Sequence, residues 1–262
     1  MRIRTVTVLA STLLLGLQPL TIAQSHQDRP SDPDHIPGQT DQVASVLDRQ
    51  LTALANVVCH EQIERFAKKG TTTSQLDTLD TDVSVMNGME KYSGIVKNGK
   101  TFQDLTHVKG TWSVGEVITL LRITRDAFKD GAIQVGQDDA AGLGRTNLMT
   151  FAYPASSQRW FLKVKSQLHW MSFEGKVWSS PETGEILRES WWASQLPPEA
   201  GVSEVVWTVD FKPVDIFARM LPLPREARFE VTYKPGENRT DWNVTRFSEY
   251  RRFGTDSAIH FD

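Results

Sequence analysis

The stretch that decides the fold reads Val205-Val206-Trp207-Thr208-Val209-Asp210-Phe211. Its odd-numbered positions are all apolar, whereas two of its three even-numbered positions are polar. Because successive side chains of a strand point to opposite faces, this alternation predicts a strand with one buried face and one face toward water. Half-buried strands of this kind are typical of antiparallel sheet.

The same period of two continues on both sides of this stretch. From residue 132 onward, this alternation predicts strands near 132–137, 146–153, 159–168, 171–179, 185–193, 203–211, 226–234 and 241–250. In 159–168 it sets Leu162, Val164 and Leu168 on one face. Nearer the N-terminus, strands are expected at 57–66, 82–86, 91–97 and 100–105. Asn98-Gly99 joins the last two as a two-residue hairpin turn, because both positions tolerate positive φ.

Two segments change to a helical period. Apolar residues predict a helix over 41–55, and a second helix is expected over 113–129. For the second, Ser113 and Glu116 have the spacing of a capping box, and Gly131 ends the pattern. A short helical turn is expected at 215–220, stopped by the prolines of Leu221-Pro222-Leu223-Pro224. The fold class is therefore mainly β (α+β), with a curved antiparallel sheet or incomplete β-barrel packed on two helices.

The N-terminus has the layout of a secretory signal peptide. Arg2 and Arg4 precede the uncharged, largely apolar stretch 5–17, and Thr21-Ile22-Ala23 supplies small residues for cleavage. We expect a signal peptide at 1–23, a flexible polar lead-in at 24–39, one β-rich globular domain at 40–254 and a C-terminal tail at 255–262. The mature chain contains no other apolar run long enough for a membrane span. These features predict an exported protein, periplasmic or secreted.

Charge and composition narrow the classes of partner. The net charge is −3, with Lys+Arg 29 against Asp+Glu 32. No basic stripe is available to neutralise phosphates, so nucleic acid is not an expected partner. The sequence contains no recognisable metal-ligand spacing or cofactor motif, so neither a metal nor a cofactor is predicted.

Cys59-His60-Glu61 is the one cluster whose residue types suggest catalysis. A hydrolase-type enzyme would use Cys59 as nucleophile and His60 as base. Adjacent residues on a strand point to opposite faces, which separates the two side chains. Catalysis at this cluster is therefore kept as the alternative to a binding function.

Aromatic residues suggest a ligand surface instead. Trp191 and Trp192 are adjacent on a predicted strand and cannot both face the core, so one of them should face solvent or a cavity. The candidate ligand-binding residues are these two and inward residues of three further strands: Leu162, Val164, Leu168, Trp191, Trp192, Trp207, Val209, Phe229 and Val231.

Three short motifs carry a family resemblance. Residues 57–66 read VVCHEQIERF, 173–178 read FEGKVW and 181–188 read PETGEILR. In this order they resemble an uncharacterised family of exported bacterial proteins. More distantly, the order of helices and strands is similar to the periplasmic lipoprotein-carrier fold and to the sigma-regulator-binding proteins built on it. That resemblance implies an incomplete barrel wrapped over helices around an apolar cavity, and it transfers no individual binding residue.

Together these features favour binding over catalysis. We expect an exported soluble protein of the cell envelope that holds an apolar ligand, lipid chain or partner segment on the concave face of its sheet. The alternatives are the hydrolase centred on Cys59, His60 and Glu61, and an envelope scaffold that docks another protein by a sheet edge.

Overall fold

The computed structural model describes residues 6–10, 39–140, 142–164, 166–216 and 220–252, with residues 6–10 described by their backbone. The lead-in and the tail expected from the sequence lie outside these residues, apart from Gln39, and so does most of the expected signal peptide. The strands are β1 Val6–Ala10, β2 Val57–Lys69, β3 Thr72–Met86, β4 Met89–Lys97, β5 Lys100–Phe102, β6 Thr111–Val114, β7 Gln134–Ala140, β8 Gly144–Tyr153, β9 Trp160–Val164, β10 Gln167–Trp170, β11 Phe173–Ser179, β12 Ile186–Ala193, β13 Val202–Asp215, β14 Met220–Tyr233 and β15 Arg239–Arg252. The helices are α1 Gln39–Leu54 and α2 Thr119–Lys129.

Most of the strands form one large antiparallel sheet. Within the described chain it has 11 strands, in the order β5-β4-β3-β2-β15-β14-β13-β12-β11-β8-β7. Its end strands, β5 and β7, do not pair with each other in the described residues, so the sheet stays open. The mainly β fold class and the antiparallel arrangement expected from the sequence are confirmed. Asn98 and Gly99 have φ of 47° and 77°, as the predicted hairpin turn requires.

One face of this sheet, the inner face, carries the core. Cross-strand register aligns one residue from each of eight strands into a continuous row: Phe151, Gly175, Trp191, Trp207, Phe229, Asn243, Arg65 and Asp77. Four of these eight residues are aromatic, and the row ends in an ion pair, in which Arg65 Nε lies 2.6 Å from Asp77 Oδ1. Gly175 is required by packing, because a Cβ there would lie 2.2 Å from the ring of Phe151.

A smaller sheet covers part of the inner face. Within the described chain it has four strands in the order β10-β9-β1-β6. The single strand predicted at 159–168 is wrong, since β9 and β10 form a tight hairpin with Leu168 opposite Lys163. The reversal places Leu168 on the opposite face from Leu162, and Leu168 is exposed.

Helix α1 agrees with the sequence prediction, whereas α2 starts later than predicted. Residues 111–114 form strand β6, and α2 begins at Thr119. Ser113 Oγ does donate to Glu116 Oε1, at 2.5 Å, but this buried pair links strand β6 to the turn that precedes the helix and does not cap the helix itself. The N-terminus of α2 is instead capped from strand β4, because Glu90 Oε1 accepts from the backbone N–H groups of Ile118 and Thr119 at 2.8 and 3.1 Å. A carboxylate at this position satisfies free N–H groups and interacts favourably with the helix dipole.

The two helices are joined to each other at their surface. Arg125 of α2 donates to both oxygens of Asp48 of α1, at 2.6 and 2.8 Å. Helix α1 also contacts β12 and β14. In the described residues, neither helix is both long and apolar enough to cross a bilayer.

The helical turn expected at 215–220 falls partly outside the described residues, which omit 217–219, while its ends, Asp215 and Met220, belong to strands β13 and β14. Pro222 and Pro224 lie inside strand β14, where Pro222 pairs in register with Pro213 of β13. The carbonyl oxygens of these two prolines accept from side chains: Gln50 donates to Pro222, and Tyr250 donates to Pro224. Both prolines precede the part of β14 that pairs with β15, which begins at Glu226, and a strand tolerates proline where one of its sides has no partner strand.

Candidate binding site

The most distinctive feature of the molecule is the position of β1. This N-terminal strand lies between β6 and β9, parallel to β6 and antiparallel to β9. Val8, at its centre, pairs in register with Ser113 on one side and Leu162 on the other. We call the space between the facing edges of β6 and β9 the strand slot. It is filled by a segment that the sequence assigns to a cleavable leader.

Strand β9 forms one wall of the strand slot and is anchored to the large sheet by an aromatic cluster. Trp160 is fully buried and stacks on Trp207, with ring centroids 6.0 Å apart. It also meets Trp191 and Phe173 edge to face, at 6.0 and 5.4 Å. Edge-to-face and stacked aromatic pairs add to the stabilisation from buried area. We call the cluster the aromatic wall; its members are Phe151, Trp160, Phe173, Trp191, Trp207 and Phe229.

Strand β6 forms the other wall and is anchored by hydrogen bonds. All four of its residues are buried. Thr111 Oγ1 donates to Asp241 Oδ2 at 3.0 Å, and Trp112 Nε1 donates to the Val108 carbonyl at 3.2 Å. The same Asp241 oxygen accepts from Tyr233 at 3.1 Å. Strand β6 is therefore tied to β14 and β15, independently of β1.

Seven of the nine residues proposed from sequence as ligand-lining are buried in the main core: Leu162, Val164, Trp191, Trp207, Val209, Phe229 and Val231. The other two, Leu168 and Trp192, are 53% and 41% exposed. Trp191 points in and Trp192 points out, as expected for neighbours on a strand. Trp192 donates to Glu204 at 2.8 Å and lines a pocket of about 290 Å³ at the edge of the aromatic wall.

The cluster Cys59-His60-Glu61 does not assemble into a dyad. Cys59 and Glu61 are buried on the inner face, whereas His60 lies on the other face with its Nδ1 3.2 Å from Asp82 Oδ1. Burial, reinforced by the neighbouring Glu61 charge, raises the pKa of the Cys59 thiol. A buried thiol with a raised pKa, separated from His60 by the strand, is poorly suited to be a nucleophile.

Three carboxyl groups are buried: Glu61 and Glu116, which the sequence interpretation considered only as part of the Cys59 cluster and of a capping box, and Glu189, which it did not single out. Burial and then the Glu90 charge raise the pKa of Glu116 to about 8, and burial raises that of Glu189 to about 7. Burial, with the charges of Glu116 and Glu90, also raises the pKa of Glu61. Within the described chain, Glu61 Oε1 has no hydrogen-bond partner.

A local signal for two of these carboxyl groups was present in the sequence. Glu61 alternates with Cys59 on β2, and Glu189 alternates with Trp191 on β12, so each lies on an inward position. The described residues contain no group of acidic, His or Cys side chains that could hold a metal ion. Because burial raises the pKa of all three carboxyl groups, the charge that they carry in the interior depends on pH.

Comparisons with known proteins give distant structural likenesses. No protein-family model and no curated protein matches this chain. A LolA superfamily protein from Nitrosomonas europaea is similar with a TM-score of 0.37 and 8% identity, over 84% of this chain and 97% of that chain. A DUF1329 family protein from Desulfovibrio piger ATCC 29098 is similar with a TM-score of 0.30 and 10% identity, over 85% of this chain and 95% of that chain. The fold class rests on the strand order of the two sheets.

Proposed function

We propose that this chain is an exported binding protein of the cell envelope, which holds an apolar ligand in the strand slot on the inner face of its large sheet. One observation carries the proposal. Strand β1 is paired on both sides at the centre of the small sheet, although its residues belong to the expected signal peptide. Removal of the leader would leave two strand edges unpaired above the aromatic wall.

The two walls of the strand slot do not depend on β1 for their position. Strand β9 is held by Trp160 within the aromatic wall, and strand β6 is held by Thr111 and Trp112. The slot would therefore keep its shape after the leader has left. Buried backbone groups without partners are unfavourable, so an emptied slot would favour any ligand that covers it.

Uncharged side chains dominate the walls, which defines the character of the ligand. Trp160, Leu162 and Val164 are buried on β9, and Trp112 and Val114 are buried on β6. A charged ligand would lose its hydration in such surroundings without gaining a partner. An apolar, elongated ligand fits the slot best.

The proposal can be tested on the full-length chain, without cleavage of the leader. In Val8→Pro the central residue of β1 loses its N–H and can no longer donate a hydrogen bond within the sheet, and the proline ring disfavours a central strand position, so the leader should leave the slot. We expect this variant to bind an environment-sensitive apolar dye at least tenfold more tightly than the wild type. Val8→Thr, which keeps the N–H and a β-branched side chain, serves as the matched control and should behave as the wild type does.

Two measurements make the result decisive. Near-UV circular dichroism and a cooperative unfolding transition check that Val8→Pro retains its packed core, since loosely folded proteins also bind such dyes. Hydrogen exchange at β6 and β9 checks that the slot has been vacated. A packed Val8→Pro chain with an open slot and no gain in dye binding would contradict the proposed function.

A further inference from the structure

The strand slot has a property that selects one chemical class among apolar ligands. We infer that its ligand is an extended, uncharged polypeptide segment of about five residues from another molecule, added as the strand between β6 and β9. This inference rests on the proposed function and names its ligand. The leader strand β1, which belongs to the same chain, occupies the position that a segment of another molecule would take.

Hydrogen bonding separates a polypeptide from a lipid chain. Strand β1 is paired through 4 residues with β6 and through 5 residues with β9, so both slot edges use backbone groups. An acyl chain has neither donors nor acceptors and would leave these groups unpaired. A polypeptide strand satisfies them on both sides, as in other cases of strand addition to a sheet edge.

Register gives the incoming segment a direction. The occupant runs parallel to β6, with Val6 opposite Thr111 and Leu9 opposite Val114. It runs antiparallel to β9, with Val6 opposite Val164. Five residues in a strand span about 17 Å, which sets the length of the segment that the slot can pair.

The flanking side chains exclude charge from most of the segment. The four positions of β6 that pair with β1 are all buried, and so are Trp160, Phe161 and Leu162 on β9. Lys163, which pairs in register with Thr7, is the charged residue beside the slot in the described chain. An uncharged segment rich in β-branched residues, like residues 6–10 themselves, therefore fits this position.

The test uses a synthetic peptide with the sequence of residues 4–12, which contains the whole of β1. Its affinity is measured by calorimetry for the full-length wild type and for Val8→Pro. We expect the peptide to bind Val8→Pro at least tenfold more tightly, because the wild-type slot is already filled in cis. Bound peptide should also restore slow hydrogen exchange to β6 and β9.

Backbone methylation of the peptide supplies the matched control. In a central strand, alternate residues bond to opposite neighbours, so N-methylation at Thr7 and Leu9 removes the hydrogen bonds that the peptide donates to one wall and places methyl groups against it. Methylation at Val6 and Val8 does the same at the other wall. Both methylated peptides are more apolar than the parent, yet each should lose at least tenfold in affinity.

The outcomes distinguish this inference from the proposed function. If the methylated peptides bind as well as the parent, or if palmitate binds Val8→Pro and the peptide does not, the ligand is an apolar chain and the polypeptide inference is overturned. The proposed function survives that result. If dye, palmitate and peptide all fail to bind a packed Val8→Pro chain, both proposals fail together.

Discussion

The two sheets of this protein are built in contrasting ways. The large sheet is assembled mostly from consecutive strands, such as the run β11 to β15, joined by hairpins. The small sheet gathers strands that begin at residues 6, 111, 160 and 167, and its centre is the N-terminal strand. Consecutive pairing makes the large sheet a self-contained unit, whereas the small sheet is held by its contacts with the inner face. This difference supports our proposal that the strand at the centre of the small sheet can be exchanged for a ligand.

The largest expected effect comes from breaking the large sheet at Trp207. This side chain is fully buried between Trp160 and Phe229, at ring distances of 6.0 and 5.8 Å. Trp207→Ala should lower the free energy of unfolding by about 3–5 kcal/mol, measured by urea denaturation. The matched control is Trp192→Ala, which removes an exposed Trp from the neighbouring strand β12. It should change the free energy of unfolding by less than about 1 kcal/mol. Equal losses in the two variants would contradict the description of the aromatic wall as the main anchor.

The next effect concerns pH. Glu189 has a pKa of about 7 in the folded protein against 4.5 for an unperturbed group, so the folded state binds more protons than the unfolded state between these values. The contribution of Glu189 to stability is therefore fully present below about pH 5 and is lost as the pH rises to above 7. The contribution of this one group amounts to about 3 kcal/mol.

Glu189→Gln sharpens this expectation, because the amide stays neutral at every pH. We expect the variant to match the wild type near pH 5 and to be more stable by about 2–3 kcal/mol at pH 8. Thermal and urea unfolding at both pH values provide the measurement. Glu204→Gln, at a partly exposed position of β13, is the control and should leave the pH profile unchanged. A profile of Glu189→Gln that still parallels the wild type would count against a buried, neutral Glu189.

A smaller effect is expected from Gly175→Ala. The added methyl group would meet the Phe151 ring at 2.2 Å and force the aromatic wall to shift. Overpacking of this kind destabilises a core by about 1–3 kcal/mol. Gly136→Ala on edge strand β7, where an added Cβ meets nothing within 4 Å, is the matched control and should change stability by less than about 0.5 kcal/mol.

The smallest effect on global stability is expected from Val8→Pro. It disrupts the centre of the small sheet and leaves the core of the large sheet intact, so the free energy of unfolding should fall by less than about 1 kcal/mol. Amide exchange should nevertheless accelerate in β6 and β9 and stay slow in β13. Uniform acceleration across all three strands would show that the two sheets unfold together, which contradicts the contrast drawn above.

Local sequence patterns predicted the large sheet well, because its pairing is mostly local. The alternation around Trp207 and the turn at Asn98-Gly99 are complete within a few residues. The start of α2 was misplaced because its cap, Glu90, comes from a strand that precedes the helix by almost thirty residues. No local pattern indicates such a partner.

The same reasoning explains the outcome at the candidate site. Inward positions such as Trp191 and Phe229 could be identified from the period of two, and they are buried. The strand slot could not be identified, because it depends on pairing between residues 6–10 and strands more than a hundred positions away. Leu168 was misassigned because the β9–β10 turn lacks the Gly or Pro that commonly marks a hairpin.

The burial of Cys59 has a practical consequence. The sequence has this single thiol, and in the folded state it is fully shielded on β2, within the sheet that should unfold last. A thiol-reactive reagent can therefore reach it only when the large sheet opens. At high reagent concentration, the labelling rate of the unmodified protein would equal the rate of that opening. The labelling rate of Cys59 therefore reports how fast the large sheet opens. It distinguishes this opening from exchange of the strand in the slot.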